Sequence, residues 1–218
     1  MKEQEAAFIS KITASVTHEF MNVLATIKET SGLMEDLLVM SVDDSFPHHE
    51  EFSKTLNTIQ EQIKRGMEIS GMLNKFAHSM EELQARVELN ELLDQLSILM
   101  RRFAMLKRVK LAVNPHESPL YIRINPFLLQ MILVACLEYC FDRTASGGVV
   151  TLQSFKTKKG ISIQCLMEPC SSPDENAQEL PNELMGFQET LHNINTQLFP
   201  INRTGQQGLE LHLHSKTI

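Results

Sequence analysis

The chain has 218 residues and a mass of 24.8 kDa, room for one large domain or two small ones, each with a real core. Apolar residues make up 43% and charged residues 22%, which excludes overall disorder. Lys+Arg 20 against Asp+Glu 27 leave a net charge of −7, and without a Lys/Arg cluster to meet a phosphate backbone no nucleic-acid partner is expected. No apolar run reaches the roughly 18 residues that span a bilayer, so no membrane is expected either. The opening MKEQEAAFIS is too polar for a secretory signal. The four cysteines supply no disulfide framework, and a reducing, cytoplasmic setting is the expectation.

The first 80 or so residues are predicted to form two long helices. From Ile9 onward, Ile12, Val16, Phe20, Val23, Ile27, Met34 and Leu38 recur within about 40° of Val16 on a helical wheel, a stripe narrow enough for a bundle seam. SVDDSFPHH (41–49) supplies a turn and a fresh cap. A second stripe follows with Phe52, Leu56, Ile59, Ile63, Gly66, Ser70, Leu73 and Ala77. Two helices joined in this way make an antiparallel hairpin, and a lone hairpin leaves apolar surface wet. Pairing of two copies into a four-helix bundle, a homodimer, is the economical solution.

Beyond about residue 88 the pattern changes. Leu89 to Leu106 is helical, and LKRVKLAVNP then alternates as a strand, with Pro115 and Pro119 in loops. Pro126 to Phe141 is helical and apolar nearly all round, which predicts burial. Gly147-Gly148 make a turn into the strand 149–155, KTKKG (156–160) is a hairpin loop, and 161–167 is the next strand. A polar loop (168–182), a helix around 183–199 and a strand carrying Leu209, Leu211 and Leu213 complete the reading. The expected fold is α+β: a helical hairpin over 1–82, followed by a two-layer α/β sandwich over 83–218.

One residue stands out for chemistry. His18 lies about 200° from Val16, with Lys11, Ala14, Asn22, Ala25 and Glu29 nearby on the wheel, so its face is directed to solvent between two alanines. A neutral imidazole on a rigid, approachable helix face is a competent nucleophile near neutral pH. Glu19 is placed to hold the Nδ1 proton and free Nε2, and Asn22, one turn on, to orient a water or a phosphoryl oxygen. From spacing alone, an ordinary solvated histidine on a wet face is the preferred reading, since exposed histidines are common.

The segment ASVTHEFMNVLATI (14–27) resembles the phosphoacceptor box of bacterial two-component histidine kinases, His-Glu/Asp-x-x-Thr/Asn followed by Pro-Leu and an apolar residue. His18, Glu19, Asn22, Leu24 and Ile27 match, while Val23 stands where Pro is usual. Residues 87–113 resemble the first helix and strand of the kinases' ATP-binding domain, and 124–152 its N-box helix and following strand. The final helix and LELHL (209–213) fit its end. The resemblance covers roughly residues 5 to 215 and implies that His18 is a phosphoacceptor.

The departures from that family bear on ATP. The two N-box asparagines fall at Val134 and Glu138, and valine can neither coordinate nor hydrogen-bond. Where Asp-x-Gly-x-Gly should recognise adenine, the chain runs Met167-Glu168-Pro169-Cys170-Ser171. The Gly-rich phosphate box is reduced to Met185-Gly186-Phe187-Gln188, and the segment between the two boxes is too short for an ATP lid with its flanking helix. An acceptor histidine kept beside a decayed ATP site resembles the dimeric histidine phosphotransferases of phosphorelays. That resemblance implies exchange of a phosphoryl group between His18 and the aspartate of a response-regulator receiver domain. It implies no cofactor of the chain's own, the Mg²⁺ belonging to the receiver. The alternatives are a soluble histidine kinase with a divergent ATP site, and a non-catalytic dimer that regulates a receiver or kinase. A phosphatase role using Glu19 and Asn22 stands beside the first reading. His48-His49, His212 with His214, and the cysteines are read as solvated or core residues, with no metal site expected.

Overall fold

The computed structural model describes residues 2–40, 48–158, 160–170, 180–203 and 206–214. They cluster into two units, one of residues 9–77 and the other of the described residues up to Phe8 and from His78 onward.

The first unit is a helical hairpin of α1 (Lys2–Met40) and α2 (His49–Ser79); most of the predicted turn between them, 41–47, lies outside the described residues. On α1 the seam falls where the periodicity put it. Ile12, Val16 and Val23 are buried as predicted, but toward the end of the helix the buried position is Leu37 and the predicted Leu38 is 55% exposed, since the 3.6-residue period drifts against a fixed seam over so long a helix. On α2 the inner face is rotated from the predicted one. Thr55, Ile69, Met72 and Phe76 are buried, whereas Leu56 and Ile63 stand 41% and 48% exposed. The reason is that α2 carries a wider apolar arc than one partner helix can cover, so the contact settles on the edge that includes Gly66. There the missing side chain lets Val23 come close; a Cβ on Gly66 would lie 3.4 Å from Val23 Cγ1.

The second unit opens with β1 (Ala85–Glu88), which pairs antiparallel with β3 (Tyr121–Ile124) in a ribbon of its own. Neither strand was predicted, because four residues are too few for alternation to register. Between them lie α3 (Leu89–Leu106) and β2 (Lys110–Asn114), and then come α4 (Pro126–Arg143), β4 (Thr144–Thr157) and β5 (Gly160–Cys170). The main sheet has the order β2-β4-β5-β7-β6, where β6 is Thr196–Arg203 and β7 is Gln206–His214. Only β2 and β4 are parallel among its neighbours.

Helix starts follow local chemistry. The Glu88 carboxylate caps α3 by accepting from the Asn90 and Glu91 backbone N–H groups. Asn125 caps α4 through Leu128 N, with Pro126 at the first turn. The buried side chains of α3 and α4 meet alternate residues of the sheet, Val150 and Leu152 on β4, Ile163 and Cys165 on β5, and Leu209 and Leu211 on β7. Gly147, at φ 85°, sits in the register shift between Thr144 and Val149, so the predicted Gly-Gly turn is a kink within β4.

The predicted helix over 183–199 is not there. Two short helices, α5 (Asn182–Met185) and α6 (Gln188–Asn193), occupy its first part and β6 the rest. Asn195 adopts a left-handed φ of 50° and ends the helical stretch. Thr196, Phe199 and Ile201 then pair with β7, and Pro200, which lacks an N–H, is tolerated because β6 is an edge strand. The strand predicted at 161–167 extends to Cys170, so the predicted loop over 168–182 begins later; its residues 171–179 lie outside those described.

Cys136, Cys140 and Cys165 are buried free thiols. Burial pushes the Cys165 thiol up to about 12 and raises Cys136 well above the ordinary range. A raised thiol pKa means less thiolate, the reactive form. These cysteines should therefore resist alkylation by iodoacetamide in the native protein at about pH 8, where a free thiol is partly ionised. They should react fully once guanidinium unfolds it; peptide mass mapping reads the difference.

Candidate functional site

The hairpin places His18 on the exposed side of α1, away from the buried line of Ile12, Val16 and Val23. The ring is exposed, and Ala14 and Ala25, on the same face of the helix, are small and exposed as well. Its hydrogen-bond partner is Asn22, whose Nδ2 donates to His18 Nδ1 over 3.2 Å. The i,i+4 spacing brings these two together on one helix face. Asn22 is itself held on a regular turn, its backbone carbonyl accepting from Thr26 Oγ1 at 3.0 Å. With an amide N–H on Nδ1, the neutral ring carries its own hydrogen on Nε2.

Glu19 does not sit on His18 Nδ1, as its neighbouring position suggested. Consecutive helix residues point about 100° apart, and Glu19 turns toward α2. There its carboxylate accepts from Arg65 Nη2 at 2.5 Å, with the Glu19 side chain 23% exposed. The two predicted partners of His18 thus divide: Asn22 holds the ring, while Glu19 ties this part of α1 to α2. Arg65 joins the site from 46 residues away, and no feature of the sequence singled it out.

In the sandwich unit, the residues that the resemblance sets at nucleotide-contacting positions make other contacts. Val134 is 3% exposed and packs in the core of α4. One turn on, Glu138 lies near Lys107, whose ammonium is held 2.5 Å from Asp142 Oδ1. The hydrogen bond and charge of Asp142, with a smaller contribution from Glu138, raise the Lys107 pKa. Where the adenine box would open into a loop, β5 continues as strand, with Glu168 paired to Val149 and Cys170 to Thr144. Gly148 is pressed against this segment, and a Cβ there would lie 2.8 Å from Glu168 O. Gly186, the remnant of the phosphate box, gives its carbonyl to Gln4 Nε2 at 3.0 Å.

The remaining sequence candidates are ordinary. His48 Nδ1 pairs with Glu51 at 2.9 Å, while the His49 side chain lies outside the described residues. His212 Nε2 lies 3.2 Å from Glu210, and His214 Nε2 donates to Gln197 Oε1 over 3.3 Å. Among the described residues, no group of three or more His, Cys, Asp or Glu side chains is placed to hold a metal ion. None of the described helices is long and apolar enough to cross a membrane.

No protein-family model matches the sequence, and no characterised protein matches it at the sequence level. Solved structures do match. The nucleotide-free catalytic domain of the histidine kinase ThkA superposes with a TM-score of 0.50 at 11% identity, over 61% of this chain and 97% of that one. The Acinetobacter baumannii histidine kinase AdeS gives 0.49 at 8% identity, over 90% and 98%. A structure described as a bacterial phosphotransferase gives 0.48 at 8% identity, over 93% and 94%. The α+β architecture, a helical hairpin followed by a sandwich of the histidine-kinase ATPase type, is the fold of this chain.

Proposed function

We propose that the protein is a histidine phosphotransfer protein of a two-component phosphorelay, in which His18 exchanges a phosphoryl group with the aspartate of a response-regulator receiver domain. The observation that carries this reading is an exposed imidazole, hydrogen-bonded to Asn22 on the outer face of a hairpin; the burial of Val134 and the Lys107–Asp142 pair beside Glu138 support it. The chain needs no cofactor of its own, and Mg²⁺ enters with the receiver.

The chemistry follows from the ring. A half-turn of the Asn22 amide exchanges Nδ2 for Oδ1, and Nδ1 then carries the hydrogen and donates to it. The Nε2 lone pair is left pointing outward. Nε2 attacks the phosphorus of the aspartyl phosphate in line, the N–P bond forms, and the P–O bond to the aspartate breaks with the carboxylate as leaving group. The Nδ1–H stays in place on Asn22 throughout, so no separate base is required. The reverse sequence discharges His18 to a second receiver.

A homodimer belongs to the same reading. Leu24, Leu38 and Val39 on α1 and Leu56, Ile63 and Met67 on α2 are 41–81% exposed, more apolar surface than an isolated hairpin keeps wet. Light scattering is expected to give twice the chain mass for the wild type. The Ile63→Glu/Met67→Glu variant should run as a monomer.

The test is a panel of radiolabelled, aspartyl-phosphorylated receiver domains incubated with the purified chain. Acid-labile, base-stable label mapping to His18 is the expected result. A chain that discharges none of them, or is labelled at another residue, contradicts the reading.

A further inference from the structure

The ribbon of β1 and β3 borders a pocket of about 600 Å³ that lies wholly within the sandwich unit. In the ladder Arg86 stands directly opposite Arg123. Alternation sends Val87 and Ile122 into the core and leaves both arginines, with Glu88 and Tyr121, on the other face. Like charges directly opposite one another on a ladder destabilise it unless something neutralises them. The acid on that face does not. The Glu88 carboxylate is turned to backbone donors instead, accepting from Asn90 N at 3.2 Å, Glu91 N at 2.7 Å and Leu120 N at 3.1 Å. Among the described residues neither guanidinium has a carboxylate partner. None of the described residues lining the pocket is acidic, although the chain as a whole carries −7.

The rest of the pocket suits an anion with an organic body. The Arg86 guanidinium carbon lies over the Tyr121 ring, 4.2 Å from its centroid, a cation–π contact that holds the charge on the pocket-lining ribbon. Ile194 adds apolar surface, and Asn195 and His214 add polar groups. A volume of about 600 Å³ is in the range of small-molecule sites and well beyond a bare inorganic ion.

We infer that this pocket binds a small organic anion through phosphate or carboxylate oxygens held by Arg86 and Arg123. The site is independent of the phosphotransfer reading, since it uses no residue of the hairpin. The test titrates the full chain at low salt with glycerol phosphate, with citrate and with glycerol as a neutral control, followed by calorimetry. One of the two anions is expected to bind and glycerol is not, and which anion binds distinguishes phosphate from carboxylate recognition. Arg86→Gln or Arg123→Gln should weaken binding at least about 10-fold, and the double variant should lose it. Arg101→Gln, outside the pocket, should leave it unchanged. Without ligand, Arg123→Gln should raise the melting temperature by about 1–3 °C as the cross-strand repulsion is relieved, which also confirms that the variant is folded. Failure of both anions to bind, undiminished binding in the double variant, or equal weakening by Arg101→Gln overturns the inference.

Discussion

Substituting His18 with glutamine is expected to reduce phosphoryl uptake from any receiver domain by at least about 10³-fold, because the amide that replaces the imidazole has no nucleophilic nitrogen. The side chain is exposed and takes no part in the seam, so the melting temperature should barely move, within the roughly 0.5 kcal/mol typical of surface changes. The loss is therefore chemical rather than structural. Asn22 separates the roles further. Asn22→Ala removes the group that holds Nδ1 and should slow transfer about 10-fold, equivalent to about 1.4 kcal/mol of orientation. Asn22→Asp keeps an acceptor for the Nδ1 hydrogen and should retain most of the rate. Rapid-quench measurement of label transfer reads all three variants. An effect on the receiver that is unchanged in His18→Gln, with no label taken up by either protein, would favour a pure binding module.

The second large effect is on the sandwich. Gly208 on β7 lies opposite Leu166 on β5, and a Cβ there would come within 2.0 Å of Cys165 O, a backbone atom that cannot step aside. Gly208→Ala must push β7 away from β5 in the middle of the sheet. The expected cost is roughly 2–4 kcal/mol, or about 10 °C in melting temperature for a chain of this size. Calorimetry against the wild type checks it. Because His18 stands on the other unit, a Gly208→Ala protein that is still folded at low temperature should accept label at the normal rate.

Much of this architecture is legible from residue order alone. The long period of α1, the Leu89–Leu106 helix and the all-round apolar helix beginning at Pro126 appear where periodicity and capping residues put them. What escaped has physical causes. β1 and β3 are four residues each, too short for alternation to be distinguished from coil. Residues 183–199 carry a helix-like spacing of Leu184 and Leu191, yet the partner strand β7 supplies a ladder that only exists in three dimensions. On α2 the wide apolar arc left the choice of inner face to packing around Gly66. At the site, His18 and Asn22 could be paired by spacing, but the Glu19–Arg65 contact between two helices could not.

The central claim is that phosphate reaches His18 from another protein and not from a nucleotide bound by this chain. Its most direct measurement compares two donors on the same preparation: intact mass of the chain after incubation with Mg-ATP, and after incubation with a phosphorylated receiver domain. The account predicts a gain of one phosphoryl group from the receiver, lost in His18→Gln, and no gain from ATP at millimolar concentration. A phosphoryl group acquired from Mg-ATP alone would contradict it and make the protein a kinase.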